Sequence, residues 1–164
     1  MTPTILIEKL AEFIEDKTKD IILEVRTDRG STDSKERAAE VYKMDLPKKE
    51  DRSKRIPYIL LQYLNGTDDK KPQDIAESIS TVRIVIATYS EDAGKGKYDV
   101  LNIISRIRSE LEKKCLIGKE FVLQMPLEYI VYPDGTAPYY MGEMITNWSI
   151  PTIRREMPDI WGSM

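Results

Sequence analysis

Apolar residues recur along this chain in two periods. Between Pro3 and Thr18, Leu6, Leu10, Phe13 and Ile14 return at helical spacing, which places one apolar stripe on a helix. Thr2 suits the N-cap and Pro3 the first turn, where a missing N–H costs nothing. Glu15 and Lys19 stand at i,i+4 near its end and predict a favourable pair. A helix is therefore expected over about 3–18. Ile21-Ile22-Leu23 either extends it or starts an edge strand.

The pattern then lapses. From Arg26 to Arg55 charges of both signs dominate, and Gly30-Ser31-Thr32-Asp33-Ser34 is turn material. Glu40 to Met44 partly alternates, which predicts a short strand inside a charged arm over 26–55. A connection of that length is usually functional or disordered.

From Pro57 onward the period is two. Tyr58 to Leu64 predicts a strand ended by Asn65-Gly66, followed by a polar connection over 67–73. Ile79 to Tyr89 is the clearest strand. Val82, Ile84 and Ile86 share one side, and Arg83, Val85, Ala87 and Tyr89 the other. That second, mixed side predicts partial exposure or a subunit contact. A helix is expected over about 97–113, with Val100, Leu101, Ile104, Ile107 and Leu111 inward and Arg106, Glu110 and Lys113 outward. Gly118 is its expected stop. Phe121–Met125 and Leu127–Tyr132 read as one strand interrupted at Pro126. Pro133-Asp134-Gly135-Thr136 is a turn, Met141–Ile150 the last strand, and 154–164 a tail. Paired strands with short connections and two helices predict α+β: one domain over 1–164, a mostly antiparallel sheet of four to five strands, and both helices on one face.

Composition narrows the chemistry. Among 164 residues there is no histidine and one cysteine, Cys115. Ser-His and Cys-His nucleophile pairs and His-containing zinc sites are thereby excluded, and so is an intramolecular disulfide. The net charge of −3 argues against a partner held by phosphate contacts. No apolar run approaches the ~20 residues of a membrane-spanning helix, and Glu8 and Lys9 cut short the apolar Ile5-Leu6-Ile7, so no secretion signal is read.

The candidate sites are each outweighed by a plainer reading. Gly94-Lys95-Gly96-Lys97 lies between strand and helix, where phosphate loops occur. However, Glu91 and Tyr98 stand where the Walker pattern needs Gly and Ser or Thr, so a strand-to-helix turn is expected. The carboxylate pairs Glu50-Asp51, Asp68-Asp69 and Glu91-Asp92 lack the spaced oxygens of a cation loop. Cys115 is expected to be a buried or half-buried structural thiol. Lys48-Lys49, Arg52 and Lys54-Arg55 form a basic cluster interrupted by Glu50 and Asp51, expected to be a solvated loop. No catalytic residue, cofactor or metal is expected. Tyr132, Tyr139 and Tyr140 flank a turn and Trp161 lies in the tail, positions where aromatics serve as interface anchors. Together with Arg83, Val85, Tyr89, Glu91 and Asp92 they are the candidate interface residues.

The succession of segments also carries a likeness. Thr81–Leu111 leads a strand ending Ile86-Ala87-Thr88-Tyr89-Ser90-Glu91-Asp92 into the helix Tyr98-Asp99-Val100-Leu101-Asn102-Ile103-Ile104. Pro57-Tyr58-Ile59-Leu60 precedes it. Gly118-Lys119-Glu120-Phe121, Pro138-Tyr139-Tyr140-Met141-Gly142 and Asn147-Trp148-Ser149-Ile150-Pro151 follow. In this order, over about 41–153, the chain resembles the tail terminator or tail-completion proteins of long-tailed bacteriophages and prophages. The stretch 26–40 has no counterpart in that likeness. The resemblance implies a non-enzymatic virion protein, made in the bacterial host cytoplasm and placed in the virion tail. It implies a ring, commonly a hexamer, on the head-proximal end of the tail tube. Its partners would be further copies, the tail tube protein and the head–tail connector, with no membrane and no sequence-specific nucleic acid. The rival readings are another connector component, such as a head-closure protein, and a small nucleic-acid-binding α+β module.

Overall fold

A computed structural model of the chain describes residues 2–26, 36–47, 55–70, 75–134, 137–154 and 156. Helix α1 (Pro3–Thr18) is followed by the short strands β1 (Leu23–Glu24), β2 (Glu36–Arg37) and β3 (Glu40–Lys43). The long strands β4 (Tyr58–Asp69) and β5 (Glu77–Tyr89) come next, then helix α2 (Ala93–Lys114). Strands β6 (Leu116–Ile117), β7 (Phe121–Val131) and β8 (Tyr139–Ile150) complete the order. The fold is α+β. Six strands form one sheet in the order β3-β4-β5-β8-β7-β6, and β1 with β2 forms a separate pair. Only β3 against β4 is parallel. The main sheet has one strand more than the expected four to five, the two-residue β6 after α2; the short strand expected within 40–44 is β3.

Both helices pack on one face of the sheet. Leu6, Leu10 and Ile14 of α1 and Val100, Ile104, Ile107 and Leu111 of α2 join Ile59, Leu61, Val82, Ile84, Ile86, Phe121, Met144 and Trp148 in the main core. The alternation read for β5 thus holds: its Val82–Ile84–Ile86 side meets the helices. Trp148 is fully buried, and its Nε1–H donates to Thr146 Oγ1 at 2.9 Å, while Thr146 Oγ1 donates to Val82 O at 2.9 Å. These bonds satisfy the polar atoms that burial would otherwise penalise.

Helix α1 has the expected bounds, with Pro3 at its start. Thr2 occupies the N-cap backbone position but makes no side-chain cap bond. Lys19 pairs with Asp16 at 2.9 Å, not with Glu15. Helix α2 begins four residues earlier than expected because Asp92 Oδ1 accepts from the backbone N–H of Gly94 at 2.9 Å and of Lys95 at 3.4 Å. That cap starts the helix at once, so Gly94–Lys97 is its first turn and not a loop. Gly96 is needed there because a Cβ would overlap the ring of Tyr140. Leu101 lies outside the buried stripe, and Ile103 lies within it. The helix ends at Cys115, which adopts a left-handed conformation (φ 56°) and returns its N–H to Leu111 O at 2.7 Å. Gly118 instead serves the turn between β6 and β7.

Strand β4 does not stop at Asn65-Gly66. A bulge between Tyr63 and Asn65 absorbs one residue, and pairing with β5 continues to Asp69. The connection expected over 67–73 therefore begins as strand. β7 is continuous past Pro126, with a register irregularity between Gln124 and Glu128. Proline has no N–H to give to a ladder, so the pairing slips there.

Candidate interaction surfaces

The helix-free face of the sheet is divided. At one end Leu46, Ile56, Tyr58, Leu60, Val85, Ala87 and Tyr89 form a second apolar cluster, with Tyr42 and Tyr139 packed against it. Val85 and Tyr89 of the mixed side of β5 are therefore packed within the chain's own apolar cluster with Tyr42, Leu46, Ile56 and Tyr58. Tyr89 and Tyr139 lie with ring centroids 5.7 Å apart. The Tyr89 hydroxyl donates to Glu91, and that bond, reinforced by burial, pushes its pKa up to about 12. Arg26 Nη1 donates to the Tyr139 hydroxyl at 2.6 Å, tying the end of β1 to this corner.

The middle of the same face is polar, and Arg83 is its hub. Its guanidinium pairs with Glu143 on β8, donates to Gln62 Oε1 on β4 at 3.1 Å, and lies 3.5 Å from the Tyr132 hydroxyl. The Glu143 carboxylate raises the guanidinium pKa further. Arg83 and Tyr132, singled out in the sequence, come together. Gln62 and Glu143 were missed, since cross-strand neighbours sit far apart in the chain and only matching strand parity hints at them.

The other candidates fall in separate places. Tyr140 points to the helix side, where its ring rests on Gly96. Asp92 is engaged as the cap of α2. Trp161 lies outside the described residues, as do Glu50, Asp51 and the basic residues Lys48, Lys49, Arg52 and Lys54. Asp68 accepts from the Ser78 hydroxyl. Cys115 is exposed, contrary to the buried thiol expected, because the left-handed cap turns the residue off the end of α2. Among the described residues, no group of three or more His, Cys, Asp or Glu comes together to hold a metal. No described helix is long and apolar enough to cross a membrane.

Both long edges of the sheet are thinly covered. β3 pairs with Tyr58–Leu61 only, and no described strand lies outside residues 62–69 of β4. β6 pairs with Phe121 and Val122 only, and Leu123 N–H still reaches Cys115 O at 2.8 Å. Beyond that, no described strand flanks 124–131 of β7. Met125, Tyr129 and Ile130 are exposed there, as is Leu64 on β4. Beside the C-terminal end of β7, a groove of about 670 Å³ opens between α2 and the sheet, lined by Gly94, Lys97, Tyr98, Leu101, Val131 and Tyr140, among others.

No protein-family model matches this chain, and no curated protein matches it.

Proposed function

We propose that this chain is a structural virion protein that caps the head-proximal end of a phage tail tube, ends tube growth and offers the joining surface for the head. The likeness in segment order motivates the reading. The observation that carries it is the pair of sheet edges on opposite sides of one subunit (62–69 on β4 and 124–131 on β7) that no described strand flanks. Open edges on a soluble subunit invite strand pairing, and further copies can cover them in a closed ring. The net charge of −3 suits a passage for DNA, because like charge discourages sticking.

Two of the polar residues singled out in the sequence are occupied structurally. Arg83 is held by Glu143 and Gln62, and Asp92 by helix amides. This supports a part that works through contacts and not through turnover. The aromatic pairs Tyr42–Tyr58 and Tyr89–Tyr139 belong to the second apolar cluster, which weighs against a stacking platform for single-stranded RNA.

Electron microscopy of particles assembled without this protein tests the reading. Overlong tails are expected. Tails of normal length beside unattached heads would move the protein to head closure, and normal, head-bearing particles would refute both.

A further inference from the structure

We infer that the outer half of β4 in one copy, flanked by no described strand, adds as an antiparallel strand to the likewise unflanked outer edge of β7 in the next, with Leu64 entering the groove between α2 and β7. The inference rests on the ring reading above and names the surfaces that build the ring.

The argument starts from the strand alternation. β4, β5, β8 and β7 run antiparallel in sequence across the sheet. Rotation from one copy to the next about an axis along the strands preserves strand direction. An even number of alternating strands therefore meets its neighbour antiparallel again, so β7 of one copy and β4 of the next continue the pattern. The free lengths match, 62–69 against 124–131.

The backbone groups on β7 are aimed outward for this. Tyr132 N–H donates to Met141 O at 3.0 Å, and Val131 and Tyr129 stand opposite Gly142 and Met144. Antiparallel ladders alternate bonded and non-bonded pairs, so the N–H and C=O groups of Tyr129 and Val131 face away from β8. Full overlap of two antiparallel segments sets the start of one beside the end of the other. Gln62 then stands beside Val131 and Leu64 beside Tyr129, one diagonal step from Val131, which lines the groove. Leu64 is an exposed apolar side chain, and Tyr98 and Leu101 present apolar wall on the other side.

Two-fold pairings serve less well. β4 against its own copy would leave both β7 edges open. β7 against its own copy would leave both β4 edges open. Only the head-to-tail pairing covers both edges of every subunit.

The test uses the full chain and two single-edge variants, Leu64→Lys on β4 and Tyr129→Pro on β7. Tyr129→Pro removes an outward N–H and no β8 ladder bond, and Tyr129→Ala controls for the lost ring. Circular dichroism confirms folding before use. Native mass spectrometry up to several hundred micromolar is expected to show a closed oligomer for the parent chain and for Tyr129→Ala, and monomers for each blocked variant alone. Mixing the two blocked variants is expected to give a heterodimer and nothing larger, because each still owns one free edge. Dimers of Leu64→Lys alone, oligomers of both variants, or no heterodimer on mixing would overturn the pairing while leaving the ring reading standing. A parent chain that is monomeric throughout would overturn the pairing too, and the tail-length experiment then judges the ring reading by itself. Should a variant misfold, disulfide cross-linking replaces it. Leu64→Cys with Leu101→Cys in a Cys115→Ser background is expected to give a covalent ladder, and its absence from an oligomeric sample counts against the pairing.

Discussion

On the helix-covered face of the sheet, Trp148 and Phe121 are fully enclosed among the aliphatic residues of α1, α2 and four strands. On the opposite face, at the level of Ile84, an arginine and a glutamate stand side by side and one end alone is apolar. The first face derives its stability from the burial of apolar side chains. The second face is held by a few directional contacts among β4, β5 and β8, with much smaller net gain per contact. One face thus secures the fold, and the other presents polar groups where no described helix covers the sheet.

Mutation at each face measures this contrast. Trp148→Ala removes the largest buried side chain and leaves the Thr146 hydroxyl without its indole donor. It is expected to cost about 3–5 kcal/mol, read as a large fall in the denaturation midpoint. Arg83→Leu leaves the half-buried Glu143 carboxylate without its cation. It is expected to cost about 1–2 kcal/mol, less than a fully buried ion pair because both side chains keep some solvent. The double variant Arg83→Leu/Glu143→Leu is expected to recover part of that loss, and a thermodynamic cycle isolates the coupling. Equal costs for Trp148→Ala and Arg83→Leu would erase the distinction between the faces.

How much of this was readable in the chain follows from which interactions are local. Helix α1, the inward side of β5 and the existence of α2 were legible, because each rests on apolar periodicity within one segment. The start of α2 was misplaced because Gly94 and Gly96 look like a loop. Their role depends on Asp92 as a cap and on Tyr140, over forty residues away. The extension of β4 beyond Asn65-Gly66 was hidden for a similar reason. A turn-forming pair can sit in a bulge when the partner strand is long enough to continue. Strands β2 and β6 span two residues each, too few to show a period, whereas the partial alternation of Glu40 to Met44 did mark β3, which pairs with its parallel neighbour Tyr58–Leu61. Of the interface candidates, Arg83 and Tyr132 converge, whereas Val85 and Tyr89 are covered by Leu46 and Ile56, residues that the charged stretch gave no reason to place there. The open edges were not visible at all, since they depend on how little of β4 and β7 the short strands β3 and β6 reach.

Asp99 crosses the boundary between the two kinds of face. It sits on the inward stripe of α2 and is the only carboxylate among the buried described residues. Its Oδ2 has no hydrogen-bond partner. Burial raises its pKa above the ordinary 3.8. Lys95 opposes that shift and Glu24 adds to it. The sign follows from proton binding: a carboxyl with a raised folded pKa holds its proton more tightly in the native state than in the unfolded chain. Native protein then binds more protons, and stability falls as pH rises from about 4 through the folded value. Above that value the loss is complete and constant. Asp99→Asn removes the titration. At pH 7 the variant is expected to be more stable than the parent by about 1 kcal/mol, the scale of an unsatisfied buried polar group, and at pH 4 the advantage is expected to vanish. Denaturant melts at the two pH values check this. An Asn variant that is destabilised equally at both would mean that the carboxylate is held by contacts that the amide cannot replace, and that the helix-covered face carries a charge at no cost.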